Sequence, residues 1–279
     1  MENNVLVITG MHRSGTSLIT QWLHTCGLHV GAQLMGPGLG NEDGHFEDLD
    51  FFNYHRQALG AHHLGENGFI HHTLKALPEK HVQQLKVLLQ SKNAAQEQWG
   101  WKDPRTCLFL DFYRQLLPRA RYLVIWRSYQ QVVSSMLTRL YQFELEQRRL
   151  NKSRLAYRWW NLIKGRHFKA ALCKQFAADF LKVWINYNEA ILQHIGQLPH
   201  TAYLVVDHAS LPAKARQVFD HLSGQWHFKL HYHAFETVYK EKLLSPVIDV
   251  DPYITDTGLR AHAARVQQQL ATAGKRHVI

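Results

Sequence analysis

The chain begins with a buried strand that runs without a break into a glycine loop and then a helix. Residues Val5 to Thr9 are almost all apolar and mostly β-branched, as in a central strand of a parallel sheet. The loop GMHRSGTS from Gly10 to Ser17 follows, and apolar residues then recur at helical spacing from Leu18 to Leu23. Backbone N–H groups converge at such a helix N-terminus, where the helix dipole also favours an anion. The segment therefore predicts an α/β fold with a phosphate-binding loop.

The composition of this loop separates it from the loop of kinases. A kinase-type loop reads G-x-x-x-x-G-K-[ST], in which the lysine contacts the β- and γ-phosphates and the hydroxyl binds magnesium. The spacing of Gly10 and Gly15 fits, but Thr16 stands at the lysine position and the cation is Arg13. The sequence thus predicts a phosphate loop without the lysine for a triphosphate. A glycine turn that only joins a strand to a helix is the alternative, because short glycine motifs give false positives.

A second strand and helix follow from Tyr122 to Leu137. Tyr122 to Trp126 are predicted to form another buried strand, Arg127 stands at its end, and Ser135 follows eight residues later. Ligands of open α/β sheets bind at the carboxyl ends of the strands, so this pair is expected beside the first loop. The alternative is an arginine that reaches solvent from the strand end and a serine on the helix surface.

These two segments resemble the nucleotide-binding motifs of sulfotransferases that use 3′-phosphoadenosine 5′-phosphosulfate (PAPS). Residues 13–17, Arg-Ser-Gly-Thr-Ser, are similar to the loop for the 5′-phosphosulfate, and with Leu18 they are closest to the tyrosylprotein sulfotransferase branch. The family holds the 3′-phosphate with an arginine at a strand end and a serine eight residues on, which the resemblance places at Arg127 and Ser135. The resemblance implies a bacterial-type enzyme with PAPS as sulfuryl donor and 3′-phosphoadenosine 5′-phosphate (PAP) as product. It also implies that the reaction needs no metal.

A third motif, WGWKDPR, spans Trp99 to Arg105. Asp103 precedes a proline, and Pro104 suits the first helical position, so Asp103 is predicted to be the N-cap of a helix that extends to Leu116. Lys102 ends a short predicted strand. Tyrosylprotein sulfotransferases carry a similar Lys-Asp-Pro whose lysine acts on the transferring group, so the resemblance makes Lys102 a candidate catalytic cation. A surface lysine at a strand edge is the alternative.

The segment between the loop and this motif contains a candidate general base. Residues 31–48 hold five glycines and one proline without a regular period, which favours a functional or disordered loop that moves. Sulfuryl transfer to a hydroxyl needs a base for the acceptor proton. Residues 41–47 resemble bacterial family members, which makes Glu47 the first candidate and His45 the second. Alternatively, Glu47 and Asp48 favour a helix N-terminus through the dipole. With a moving loop, Glu47 can lie out of reach when no ligand is bound.

Composition sets the broad class of the protein. The 279 residues are 46% hydrophobic and contain no repeat or linker, so residues 1–279 are predicted to form one domain. No apolar run approaches the length of a membrane span and no signal segment precedes the first strand, which predicts a cytoplasmic protein. The three cysteines are expected to be reduced core thiols. The twenty histidines show no metal-ligand spacing, so no metal site is predicted.

The net charge of +10 is concentrated in Arg139 to Lys174, which holds ten Lys/Arg against two acidic residues, with aromatic residues between them. This stretch follows the helix of Ser135 and is predicted to overhang the cleft, where it would attract the nucleotide and an anionic acceptor. Nucleic-acid binding is the rival interpretation. No zinc-finger, RNP or helix-turn-helix pattern supports it, so nucleic acid is not the expected partner.

The motifs together predict a three-layer α/β/α fold with a parallel sheet, of the P-loop-containing nucleoside triphosphate hydrolase type that includes sulfotransferases. The resemblance implies in-line, metal-independent transfer from PAPS to a hydroxyl or amine, with Arg13, the Ser14–Ser17 amides and Lys102 stabilising charge on the bridging oxygen. The acceptor stays open among carbohydrate, small molecule, lipid and peptide. The adenine contacts stay unassigned, since residues 240–242 are a weak counterpart of the family's nucleotide loop. A P-loop kinase and a non-catalytic nucleic-acid-binding protein remain the alternatives.

Overall fold

A parallel sheet organises the chain. The computed structural model describes residues 3–38, 44–72, 74, 76–151, 153–239 and 246–276, with the backbone alone at 154–157, 161 and 166. The strands are β1 (Asn4–Thr9), β2 (Gln98–Lys102), β3 (Arg121–Trp126) and β4 (Tyr203–Asp207). The helices are α1 (Thr16–Thr25), α2 (Leu49–Ala61), α3 (Glu79–Ala95), α4 (Leu110–Leu116), α5 (Tyr129–Leu150), α6 (Arg154–Ile195), α7 (Leu211–Asp220) and α8 (Thr257–Lys275).

The strand order places the loop after β1 at a natural ligand crevice. The strands lie in the order β2-β1-β3-β4, and every neighbouring pair is parallel. The chain passes from β1 to its neighbour on one side and then returns to β3 on the other side. Such a reversal opens a crevice at the carboxyl ends of the two central strands. The loop after β1 and the segment after β3 therefore meet there, as the sequence predicted.

Alternating side chains of the sheet supply two separate cores. In β1, Val5 and Val7 belong to one core, whereas Leu6 and Ile8 belong to the other. Helices α2 to α6 and α8 pack on the first core, and α1 and α7 pack on the second. Period-two alternation is the geometry of a strand whose two faces are both covered. The predicted three-layer α/β/α architecture is confirmed.

Several helix boundaries differ from the expected ones. Asp103 is an N-cap as predicted, but the helix after it is broken: a 3₁₀ turn spans Pro104–Leu108, and α4 starts only after Phe109. The apolar spacing of Ala170 to Ile195 predicts a long amphipathic helix, and the structure starts that helix earlier, at Arg154, so that α6 has 42 residues. No helix in the described residues is both long and apolar enough to cross a membrane.

Candidate active site

The loop between β1 and α1 has the geometry of an anion site. Arg13 and Gly15 both lie in the left-handed region, at φ 67° and 91°. Left-handed residues in a turn direct successive backbone N–H groups to one side, and a non-glycine residue there costs about 1–2 kcal/mol. Gly15 is the N-cap of α1, and because glycine has no side chain it cannot cap the N–H groups of the first helical turn. Ser14 Oγ is buried without a partner among the described residues.

The side chain of Arg13 joins this loop to the second motif. Its Nε donates to Ser135 Oγ over 2.9 Å, and Arg127 Nη1 donates to the backbone oxygen of Arg13 over 3.4 Å. Burial and the charges of Arg139 and Arg127 lower the pKa of Arg13 to about 10, and burial lowers the pKa of Arg127. Partly buried cations thus repel one another at this place. A bound anion would relieve that repulsion.

Lys102 and Glu47 form a buried ion pair at the end of β2. Lys102 Nζ donates to Glu47 Oε1 over 2.9 Å and to Ser17 Oγ over 3.1 Å. Their side chains are only 1% and 8% exposed. Lys102 is therefore not the surface lysine of the alternative interpretation. Because Ser17 belongs to the first turn of α1, the ion pair lies beside the loop between β1 and α1.

Backbone pairing holds Glu47 beside Lys102. Leu34 and Asp48 form an antiparallel bridge, and the Met35 N–H donates to the Glu47 backbone oxygen over 2.8 Å. Asp48 is the residue that caps α2. The structure thus gives the two adjacent carboxylates different partners. Glu47 contacts Lys102, which also contacts Ser17 in the first turn of α1, although a moving loop would have allowed Glu47 to lie far from it. Residues 39–43, which include Asn41 of the family-like segment, lie outside the described residues.

His45 lies on the same segment as Glu47. Its backbone N–H donates to the Met35 oxygen over 3.1 Å. Burial and the charges of Lys102, Arg139 and Arg13 lower the pKa of the His45 ring to about 4. The ring is therefore neutral at pH 7, and a neutral imidazole is able to accept a proton. Both candidate bases thus stay open at the site.

Asp103 fixes the backbone that follows Lys102. Its Oδ1 accepts from the Arg105 backbone N–H over 2.7 Å, and its Oδ2 accepts from Arg105 Nη1 over 2.9 Å. His55 Nδ1 of α2 lies 3.5 Å from Oδ1. Burial alone raises the pKa of Asp103, but the interactions with His55 and Arg105 outweigh it and hold the pKa well below its usual range. The N-cap role that the sequence favoured for Asp103 is confirmed.

Sequence reasoning missed two histidines at the loop. His208 directly follows β4, and a Cβ built on Gly15 would lie 2.1 Å from His208 Cδ2, so the ring packs on the loop backbone. Burial and the charge of Arg127 lower the pKa of His208 to about 4. His12 has its pKa lowered to about 3, chiefly by burial, and its Nε2 has no hydrogen-bond partner among the described atoms. The position of His208 directly after β4, at the carboxyl edge of the sheet, is the sequence signal that could have found it.

Two sequence predictions stay untested at this site. Residues 240–242, the weak counterpart of a nucleotide loop, lie outside the described residues. Within the described residues, no three His, Cys, Asp or Glu side chains are grouped so that they could hold a metal ion.

Comparison with known proteins identifies the fold. A model of the sulfotransferase family matches residues 6–227, and no curated protein matches the chain. The sulfotransferase domain of the Synechococcus PCC 7002 olefin synthase is 18% identical, with a TM-score of 0.52 over 97% of this chain and 96% of that one. Sulfotransferase STF9 of Mycobacterium avium is 13% identical, with a TM-score of 0.52 over 100% and 78% of the two chains. At these identities the structural likeness extends to the fold alone.

Proposed function

Because the chain belongs to the sulfotransferase family, we propose that it transfers the sulfuryl group of PAPS to a hydroxyl or amine of an acceptor. Sulfuryl transfer in general follows from the family. The observation that carries the donor assignment is the arginine cluster at the β1–β3 crevice, where Arg13 contacts Ser135 and Arg127 contacts Arg13. This cluster lies beside the phosphate loop and supplies a second place for an anion. A nucleotide with phosphates at both its 5′ and 3′ positions fits two such places.

The two ends of the donor have separate partners in this proposal. The N-terminus of α1 and the buried Ser14 hydroxyl, which has no partner among the described residues, bind the 5′-phosphosulfate. Arg127 and Ser135 bind the 3′-phosphate, with the Arg13 guanidinium between the two places. Ser135 Oγ accepts from Arg13 and still has its own proton to donate to a phosphate oxygen. Thr16 at the position of the triphosphate lysine disfavours the kinase alternative.

Lys102 and Glu47 divide the chemical work in this proposal. Lys102 stabilises the negative charge that develops on the bridging oxygen as the S–O bond breaks. Glu47 accepts the proton of the acceptor hydroxyl, and His45 is the second candidate for that role. In the ligand-free protein each partner neutralises the other across 2.9 Å. A donor that draws Lys102 to its bridging oxygen therefore leaves the Glu47 carboxylate available to the acceptor.

A turnover assay with radiolabelled PAPS tests this proposal. The protein is incubated with sugar, phenol, lipid and peptide acceptors, and PAP release and labelled product are measured. Lys102→Met is expected to lose turnover while it retains PAP affinity, because its contact strengthens as charge develops. Lys80→Met, an exposed position on α3, is the matched control and should behave as wild type. Absence of both PAP binding and labelled product would contradict the proposal.

A further inference from the structure

The pair of helices α5 and α6 carries an unusual group of exposed apolar side chains. The two helices are joined by residues 151–153 and pack against each other through aromatic contacts such as Tyr141 with Phe168. Nine large apolar side chains are exposed in the described residues, and five of them lie between 143 and 163: Phe143, Leu150, Trp159, Leu162 and Ile163. Exposed apolar groups of this kind mark interaction surfaces in soluble proteins.

Three of these side chains share one face of α6. Trp159, Leu162 and Ile163 follow the i, i+3, i+4 spacing of a helical stripe, and Trp159 and Leu162 are 70% and 85% exposed. We call these three residues the α6 patch. The helix contacts α5 through other positions, among them Trp160, whose ring lies under the Arg148 guanidinium at 4.8 Å. The α6 patch is therefore turned to solvent.

The surroundings of the α6 patch are strongly basic. Residues 147–178 contain nine Lys/Arg and not one Asp or Glu. Arg158 and Lys164 flank the patch in the sequence and are exposed. A second copy of the chain would bring like charges together here, which opposes self-association. An anionic partner has the complementary charge.

We propose that the α6 patch docks the protein on the surface of an anionic lipid bilayer. Tryptophan is enriched at the membrane interface, and aliphatic side chains on an amphipathic helix enter the acyl boundary. Lysine and arginine side chains beside them are attracted by the negative potential of the lipid surface, which strengthens binding. Single-stranded nucleic acid would also bind the basic side chains through its phosphates and stack its bases on Trp159. It offers no apolar phase, however, in which Leu162 and Ile163 could be buried. Exposed Leu162 and Ile163 therefore favour a lipid bilayer over nucleic acid as the partner.

The patch lies away from the candidate active site, so docking and catalysis are tested separately. Trp160, beside the patch, packs on Arg148, which lies thirteen residues from Ser135 on α5. At a rise of 1.5 Å per residue these two positions on α5 are about 20 Å apart. The docking proposal does not rest on PAPS chemistry, and PAP binding by the patch variants should equal that of wild type.

Co-sedimentation of the full chain with vesicles tests the docking. Binding is expected with vesicles that mix phosphatidylglycerol into phosphatidylcholine, little binding with phosphatidylcholine alone, and weaker binding as salt rises. Leu162→Gln and Ile163→Gln should each reduce the affinity about tenfold, and Lys164→Gln about fivefold. Glutamine preserves helix propensity at these exposed positions. Val87→Gln on α3, where the valine is 62% exposed, is the matched control and should bind as wild type.

Three outcomes overturn the docking proposal. Equal sedimentation with neutral and anionic vesicles would show that the basic residues do not contribute to docking. Wild-type vesicle affinity in Leu162→Gln and Ile163→Gln, with single-stranded DNA bound through Lys164, makes this a nucleic-acid surface. Absence of vesicle binding, with self-association in sedimentation velocity that Leu162→Gln abolishes, makes it an interface between copies of the chain.

Discussion

Lys102→Met is expected to destabilise the protein, and a second change at Glu47 is expected to recover part of the loss. The two side chains pair over 2.9 Å and are 1% and 8% exposed. Methionine matches the length of the lysine chain but removes the cation, so the Glu47 carboxylate stays buried with no positive charge at that position. Loss of one partner from a buried ion pair costs about 3–5 kcal/mol, which for a chain of this size lowers Tm by roughly 6–20 °C.

Urea unfolding of the wild type, both single variants and the double variant completes the test. Glu47→Gln should lose less stability than Lys102→Met, because its amide oxygen still accepts from Lys102 Nζ. The double variant should be more stable than Lys102→Met, since no uncompensated buried charge remains. Arg56→Met breaks an exposed ion pair with Glu66 and should change stability by less than about 1 kcal/mol. Additive losses in the cycle, or a Lys102→Met variant as stable as wild type, would refute the buried pair.

Three further predictions concern the base, the loop and pH. Glu47→Gln should slow the chemical step by ~10²–10⁴-fold with PAP affinity unchanged. His45→Ala should slow it much less, and rates in the reverse order would give the role to His45. Gly15→Ala should weaken PAP binding because its Cβ would lie 2.1 Å from His208 Cδ2 at φ +91°, whereas Gly224→Ala meets open space and should bind normally; equal affinities would contradict this. The free energy of unfolding should rise between pH 4 and pH 6.5, because the pKa of His208 is about 4 in the fold against an ordinary 6.5, so the unfolded chain binds more protons there. Urea titrations across that window check the slope, which His208→Gln should reduce.

The sheet and the turn after β1 could be predicted because each depends on local sequence. The apolar run of Val5 to Thr9 and the following glycines define a strand and a turn within twenty residues. The N-cap role of Asp103 was equally local, since it depends on the proline that follows. The break at Phe109 was not visible, because the apolar spacing continues across it.

The contacts within the candidate site depend on distant segments and were beyond the sequence. Glu47 and Lys102 are 55 positions apart in the sequence, and the pairing of Leu34 with Asp48 holds the Glu47 backbone where the two side chains meet. Periodicity carries no information on such a pairing. The sequence placed Ser135 beside the first loop, but it did not predict the bond from Arg13 Nε to Ser135 Oγ, which joins segments that follow neighbouring strands and lie 122 residues apart.

Calorimetric titration with PAP, ADP and AMP tests the central claim most directly. If Arg127 and Ser135 bind a 3′-phosphate, PAP should bind about ten- to a hundredfold more tightly than ADP or AMP. This ratio corresponds to the contribution of about 1.5–3 kcal/mol that a charge-assisted contact makes to binding. Arg127→Met should remove this preference with little effect on ADP. Arg121→Met, at the opposite end of β3, is the matched control and should keep it. Equal affinity for PAP and ADP in the wild type, or binding that requires magnesium, would contradict the account.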